Sequence, residues 1–308
     1  MILSVSRRTD IPAFYPDWFY NRIGEGFLCV RNPMNYHQVS KVALNSDVVD
    51  CISFGTKDPG PMIPRLNELD SYKYYFQVTV NPYGSVLERS VPEMEKVTES
   101  MIDISVKTDT SRVIWRYDPV FYTDKLGLEE HLGFFAETAK RLSGYVRRCI
   151  IGYLHLYNKT TRNIQGLPVR ALSPEEAVDI SCRLKEIAEQ YGIELMSCSD
   201  SLGLEKYGIG KAACIDPVLI SEICGYTVSV KKDRNQRPVC NCAESIDIGE
   251  YGSCPHGCLY CYANKTPGEA DRNHRLHDPD SPLLLGNIME DDIVKVRKIV
   301  SFRTNTLF

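Results

Sequence analysis

No stretch of this 308-residue chain approaches the roughly 20 consecutive apolar residues that a membrane helix requires. Its first residues, Met1-Ile2-Leu3-Ser4-Val5-Ser6-Arg7-Arg8, lack the charged-then-apolar order of an export signal. A cytoplasmic protein with no membrane partner is therefore the expectation. Positive charge is not in surplus either: 36 Lys and Arg against 40 Asp and Glu leave a net charge of −4. Nucleic acid is thus not the default partner, and no basic stripe interleaved with aromatics argues for extended binding to it. There is no internal repeat of solenoid type. Hydrophobic residues at 43% and charged residues at 25% sit near globular averages. The length suffices for one large or two ordinary domains whose cores need no disulfide staples.

What the chain has is cysteine, 12 in all. In a reducing compartment thiols stay free, and dense cysteine clusters point to metal or catalysis rather than to disulfides.

Short apolar runs rich in β-branched and aromatic residues alternate with segments of helical apolar spacing. The runs predict parallel strands at 2–5, 48–54, 74–80, 112–116, 148–154 and 193–196. Between them, helices are expected at 91–108, 128–143 and 174–191. The last opens with Ser173-Pro174-Glu175-Glu176, an N-cap hydroxyl followed by proline and acids in the first turn. Such alternation implies an α/β fold, a complete or partial (β/α) barrel with right-handed crossovers. The pattern changes near residue 231, so the expected organisation is a barrel-like domain over 1–230. A cysteine-rich, cluster-binding extension over 231–308 would follow. Within it, Ile293, Val296 and Val300 share one helical face and predict a final helix at about 290–300, packed on the barrel.

In barrels the chemistry sits at the carboxyl ends of the strands. Polar residues after the predicted strand ends are Arg7, Arg8, Thr9 and Asp10, then Lys57, Asn81, and Arg116 with Asp118. Arg7, Arg8, Asp10, Lys57, Arg116 and Asp118 form the candidate catalytic set. The four cations suit an anionic or nucleotide-like small substrate or a cofactor carboxylate, and the two carboxylates would hold those cations or take protons.

The densest motif is Cys254-Pro-His-Gly-Cys258-Leu-Tyr-Cys261, with spacing C-x3-C-x2-C. Three soft thiolates on so short a loop suit one corner of a cuboidal iron–sulfur cluster, whose fourth iron would stay open. Zinc is the alternative, and it needs four ligands, with His256 or a cysteine from elsewhere completing the set. Cys198, Cys214, Cys240 and Cys242 are candidates for a second metal, either another iron–sulfur cluster or zinc. Cys29, Cys51, Cys149, Cys182 and Cys224 lie in apolar contexts and read as core residues.

The C-x3-C-x-aromatic-C pattern of Cys254, Cys258, Tyr260 and Cys261 resembles the defining loop of the radical S-adenosylmethionine superfamily. The resemblance implies a [4Fe–4S] cluster that chelates S-adenosylmethionine, with Tyr260 near the adenine and Asn81 beside the cofactor. It also implies a one-electron donor such as flavodoxin or ferredoxin, and a 5′-deoxyadenosyl radical that abstracts hydrogen from substrate. In the superfamily the loop usually follows the first barrel strand, whereas here it lies beyond every predicted strand. The Ser-Arg-Arg-Thr-Asp-Ile-Pro segment at 6–12, combined with the C-terminal cluster, is similar to the DUF1848 family of bacterial proteins. The Phe54-Gly-Thr-Lys-Asp-Pro59 and Cys258–Tyr262 segments also resemble spore photoproduct lyase-related proteins, which repair DNA. Two other readings remain. One is a redox or structural metal protein without catalysis, and the other a zinc hydrolase built on His155 at its strand end.

Overall fold

The computed structural model describes residues 1–304. In chain order its elements are β1 (Ile2–Val5), α1 (Ile11–Phe14), α2 (Pro16–Glu25), β2 (Phe27–Asn32), β3 (Asn35–Ala43), β4 (Cys51–Thr56), β5 (Tyr74–Thr79), α3 (Met94–Lys107), β6 (Val113–Val120), α4 (Leu128–Leu142), β7 (Arg148–Tyr153), α5 (Asn158–Asn163), α6 (Pro174–Gln190), β8 (Glu194–Ser197), β9 (Gly210–Lys211), α7 (Pro217–Cys224), β10 (Ile246–Asp247), α8 (Pro267–Arg275) and β11 (Ile293–Val296). Among the described residues no helix is long and apolar enough to cross a membrane.

Eight strands form one parallel sheet in the order β10-β1-β4-β5-β6-β7-β8-β9. Its strands read as nearly continuous apolar runs because both faces are covered. Leu3, Val5, Ile52, Phe54, Phe76, Val78, Trp115, Tyr117 and Ile151 pack on one face against α2, α3, α4 and α6. Ile2, Cys51, Tyr75, Ile114 and Ile150 alternate with them and pack on the other face against Leu219, Ile220 and Ile223 of α7. The period of two in a strand makes this division. One step further along the α7 face, the same period brings Ser4, Ser53, Gln77, Arg116 and Cys198 into a polar tier at the carboxyl ends of the strands. Ala243, just before β10, donates its N–H to the Ile215 carbonyl, just after β9, at 2.9 Å. This bond ties the two outermost strands' flanking segments together.

The helices at 128–142 and 174–190 start where their sequence signals place them. Ser173 accepts from the Glu176 N–H at 3.2 Å, and the Glu176 carboxylate accepts from the Ser173 N–H at 2.8 Å. The C-terminal expectation is overturned: residues 293–296 form β11, not a helix, and pair in parallel with Gln38–Lys41 of β3. Together with β2 they make a separate three-stranded sheet. Ile293, Val294 and Val296 are β-branched, and their helical spacing coincides with a strand whose partner lies some 250 residues earlier in the chain. The expected strand at 48–54 begins later, at Cys51, because Asn45 ties 46–49 into a turn through its carbonyl. The chain after 231 is stitched into the main sheet by β10, whose Ile246 and Asp247 pair with Leu3 and Ser4.

Candidate functional site

The loop bearing Cys254, Cys258 and Cys261 leaves β10 and lies along the segment that follows β5. Leu259 donates its N–H to Leu87 O at 3.0 Å, Ser90 donates to His256 O at 2.9 Å, and Glu88 and Cys258 form an antiparallel bridge. Gly257 adopts φ +68°, a left-handed turn that an L side chain rarely enters, and a Cβ there would sit 3.1 Å from the Arg89 side chain. At the loop's ends, Tyr15 Oη donates to Ser253 O at 2.5 Å, Asn264 Nδ2 to Cys254 O at 2.7 Å, and the Ala263 N–H to Cys261 Sγ at 3.2 Å. The three thiols are half-buried. Burial first, then Asp10 and the neighbouring thiols, push the Cys254 thiol well above its ordinary range. Burial likewise raises Cys258, against the lowering influence of Lys57.

His256 lies inside this loop, 2% exposed. Its Nε2 is 2.8 Å from Asp10 Oδ2 and its Nδ1 is 3.1 Å from the Ser90 carbonyl, so both ring nitrogens have partners. Asp10 also accepts from the Lys57 N–H at 2.7 Å and caps α1 by accepting from the Ala13 N–H at 3.1 Å. One buried carboxylate therefore fixes the loop against both β1 and β4. Lys57 Nζ donates to Glu88 Oε1 at 2.8 Å, and the Tyr260 hydroxyl donates to the same oxygen. Burial works against the Lys57 ammonium, but Glu88 and Cys258 outweigh it and raise its pKa. The Tyr260 ring is buried, packed edge-on to Tyr83 and Phe121 with centroids 5.7 and 5.3 Å away.

Arg7 and Arg8 converge on Asp247, which sequence reasoning missed because β10 is only two residues long. Arg8 Nε donates to Asp247 Oδ1 at 3.0 Å and Arg8 Nη2 to the Asp247 carbonyl at 2.6 Å, while the Arg7 N–H donates to Oδ2 at 2.8 Å. Ser6 Oγ and the Gly249 N–H also donate to Oδ1, at 2.8 and 3.0 Å. A Cβ at Gly249 would lie 1.9 Å from Ser6 Oγ, so only glycine lets the two segments meet. Burial raises the Asp247 pKa, but Arg8, Arg7 and these hydrogen bonds prevail and hold it below the ordinary carboxylate value. Arg7 and Arg8 are thus committed cations rather than free anion-grippers. The same holds for Arg116, which pairs with Asp118. Asn81 is committed too: its Nδ2 donates to Asp118 O at 2.9 Å and its Oδ1 accepts from the Asp118 N–H at 3.1 Å. His155 is exposed, and partial desolvation, then Arg237, lower its pKa. It belongs to no three-ligand cluster among the described residues, so the zinc-hydrolase expectation finds no ligand set around it.

The second cysteine set assembles on the α7 face of the sheet. Cys198 Sγ is 4.0 Å from Cys214 Sγ, and the Cys242 N–H donates to Cys240 Sγ at 3.5 Å. Cys198 and Cys242 beside it, with Arg116, overcome burial to hold the Cys214 thiol well below its ordinary pKa. Arg116 Nη1 donates to Cys214 Sγ at 2.9 Å, while Gln77 Nε2 and Tyr75 Oη donate to the Cys214 carbonyl at 2.8 and 2.6 Å.

The donors around the Cys254 loop suit a soft, multi-iron ligand. Three sulfurs reach from one loop, His256 is engaged, and two polar atoms by the loop, Thr9 Oγ1 and Asn264 Oδ1, are buried without a hydrogen-bond partner. Among the described residues, only His37, Asp291 and Asp292 bring three ligand atoms within 4.8 Å of one another. Of the cysteines, Cys198 and Cys214 bring their sulfurs to 4.0 Å of each other.

Among solved structures, one from work on the pneumococcal virulence factor StrH, N-glycan recognition and hydrolysis, overlays with a TM-score of 0.30 at 9% identity. The overlay covers 77% of this chain and 66%, just under two thirds, of that one, and a likeness so low carries no argument. No curated protein matches. A family model described as a domain of unknown function, DUF1848, matches residues 2–263, from β1 through the third cysteine of the loop, and the chain belongs to that family.

Proposed function

We propose that the Cys254 loop holds a [4Fe–4S] cluster through three thiolates, and that the protein is a radical S-adenosylmethionine-type enzyme. The observation that carries this reading is the donor set: three cysteines from one short loop, with the adjacent histidine bound on both nitrogens to Asp10 and Ser90. A purely structural or redox centre would call for a fourth protein ligand at this loop. A cluster held by Cys254, Cys258 and Cys261 would supply one electron to S-adenosylmethionine, whose carbon–sulfur bond would break to give methionine and a 5′-deoxyadenosyl radical.

The chain's own part is to place and shield. β10 runs parallel to β1, so the loop that leaves it emerges beside the carboxyl end of the first strand, although it comes late in the sequence. The sheet, tied at its ends through Ala243 and Ile215, reads as a partial (β/α) barrel with this loop at its mouth. Lys57, held by Glu88, keeps a buried cation beside Cys258. Asp10 and His256 lock the loop to the strand ends, and Tyr260 closes it against the aromatic cluster of Tyr83 and Phe121. An anionic or nucleotide-like substrate would meet cations already balanced by Asp247, Glu88 and Asp118, so charge pairing at the rim is exchanged rather than created on binding.

The test is product formation. The anaerobically reconstituted chain, given a strong one-electron reductant and S-adenosylmethionine, should release 5′-deoxyadenosine, and Cys258→Ala should abolish that release. Product formed equally by the variant would remove the assignment.

A further inference from the structure

We propose that Cys214 and Cys198 form a redox-active dithiol, in which the Cys214 sulfur attacks a small hydroperoxide and Cys198 then closes the disulfide. Cys198 directly follows β8, Cys214 lies between β9 and α7, and β8 and β9 pair in parallel. Just beyond those strands the two sulfurs stand 4.0 Å apart. A disulfide holds its sulfurs about 2.0 Å apart, so closure needs a shift of about 2 Å, which rotation of the two side chains supplies.

Cys214 is set up to be the attacking sulfur. Arg116 Nη1 donates to its Sγ at 2.9 Å, and the guanidinium is itself held in place, by Gln77 Oε1 at 3.2 Å and by Asp118. Gln77 Nε2 and Tyr75 Oη fix the Cys214 carbonyl. Both cysteines are only half-buried, so a small oxidant reaches them. A thiolate is the nucleophile, and a cation beside a partly exposed sulfur favours it. Cys198 and Cys242, with Arg116, hold the Cys214 thiol low against burial, whereas Cys214 and then burial push the Cys198 thiol up. The pair thus divides into an attacking thiolate and a neighbouring thiol that resolves it. Cys149 shows the contrast: it also feels Arg116, but it is fully buried, and burial pushes its thiol well up.

In the first step the Cys214 sulfur bonds to one peroxide oxygen and the O–O bond breaks. The leaving oxygen takes up a proton and departs as water or an alcohol, and Cys214 becomes a sulfenic acid. Arg116, already aimed at the sulfur, stabilises the charge that passes between sulfur and oxygen. In the second step the Cys198 sulfur attacks Cys214, the S–O bond breaks, and water leaves with the Cys198 proton. Two thiols are oxidised by two electrons to one disulfide, and the hydroperoxide is reduced by the same two.

The test is mass spectrometry of the reduced full chain after a single equivalent of hydrogen peroxide, with free thiols then alkylated by iodoacetamide. A peptide pair joining Cys198 to Cys214 should appear ahead of any other cross-link. The same pair should form in Cys258→Ala, because the dithiol needs no ligand of the Cys254 loop. In Cys198→Ser, dimedone should trap a sulfenic acid at Cys214, and in Arg116→Gln the pH midpoint of Cys214 alkylation should rise. Both cysteines still alkylated after peroxide, or Cys214 joined to Cys242 instead, overturns the proposal. So does a bound metal that shields Cys214 from alkylation in the reduced chain. If the variants do not fold, the cross-link in the unaltered chain decides.

Discussion

The two cysteine sets of this protein are built in opposite ways. Cys254, Cys258 and Cys261 lie on one continuous loop, so their spacing alone brings them together, and the fold's task is to anchor that loop. Cys198, Cys214, Cys240 and Cys242 come from three segments, one after β8, one between β9 and α7 and one before β10, and only the tertiary fold brings Cys198 and Cys214 to 4.0 Å. The first kind of site survives local disturbance of the sheet but depends on its anchors. The second depends on the contacts between its segments, among them the hydrogen bond from the Ala243 N–H to Ile215 O. The anchors of the first are buried and polar, Asp10, His256 and Glu88, while those of the second are mostly backbone carbonyls met by Gln77 and Tyr75.

Substitutions that strike one set of anchors and spare the other should separate the two. Asp10→Asn removes a buried charge that three elements share. It should cost about 3 kcal/mol of unfolding free energy and selectively weaken the cluster of the Cys254 loop. Urea unfolding together with iron content checks this, and a variant as stable and iron-replete as the parent would detach Asp10 from the site.

Asp247 lies between the two sets, and its effect should show in acid. Because its folded pKa is depressed, its stabilising contribution is complete above the ordinary carboxylate pKa of about 3.9 and is lost as pH falls through the lower folded value. Asp247→Asn should therefore lower stability at neutral pH by about 2 kcal/mol and flatten the acid limb of the stability profile. A Tm series from pH 6 down to about 2 reads this directly, and parallel curves for parent and variant would contradict it.

Remote from both sets, Ser173→Ala should cost about 1 kcal/mol through the lost cap of α6 and leave the iron content unchanged. Loss of iron in that variant would show that the sites respond to general destabilisation rather than to their own anchors.

The strands and helices with strong periodicity were legible in the sequence: β1, β5 and β7, the helix capped by Ser173, and the helix from Leu128. So was the spacing of the Cys254 loop, because ligands on one short loop leave a local pattern. Residues whose role comes from a distant partner left none. Glu88 gains its place from Lys57 and Tyr260, and Asp247 from Arg7 and Arg8, through contacts that span up to about 240 residues of chain. β10 is too short for any run of alternation to mark it. β11 was misread because Ile293, Val296 and Val300 fit a helical face as well as a strand, and only pairing with β3 decides between them. Arg7, Arg8, Lys57 and Arg116 were found by position at strand ends, but their commitment to carboxylates could be seen only in three dimensions.

The most direct measurement is EPR of the anaerobically reconstituted, dithionite-reduced chain with and without S-adenosylmethionine. An open iron held by Cys254, Cys258 and Cys261 predicts a [4Fe–4S]⁺ signal that changes when S-adenosylmethionine is added and whose responsive part disappears in Cys258→Ala. A signal indifferent to S-adenosylmethionine, or bound zinc with no iron signal, would contradict the account.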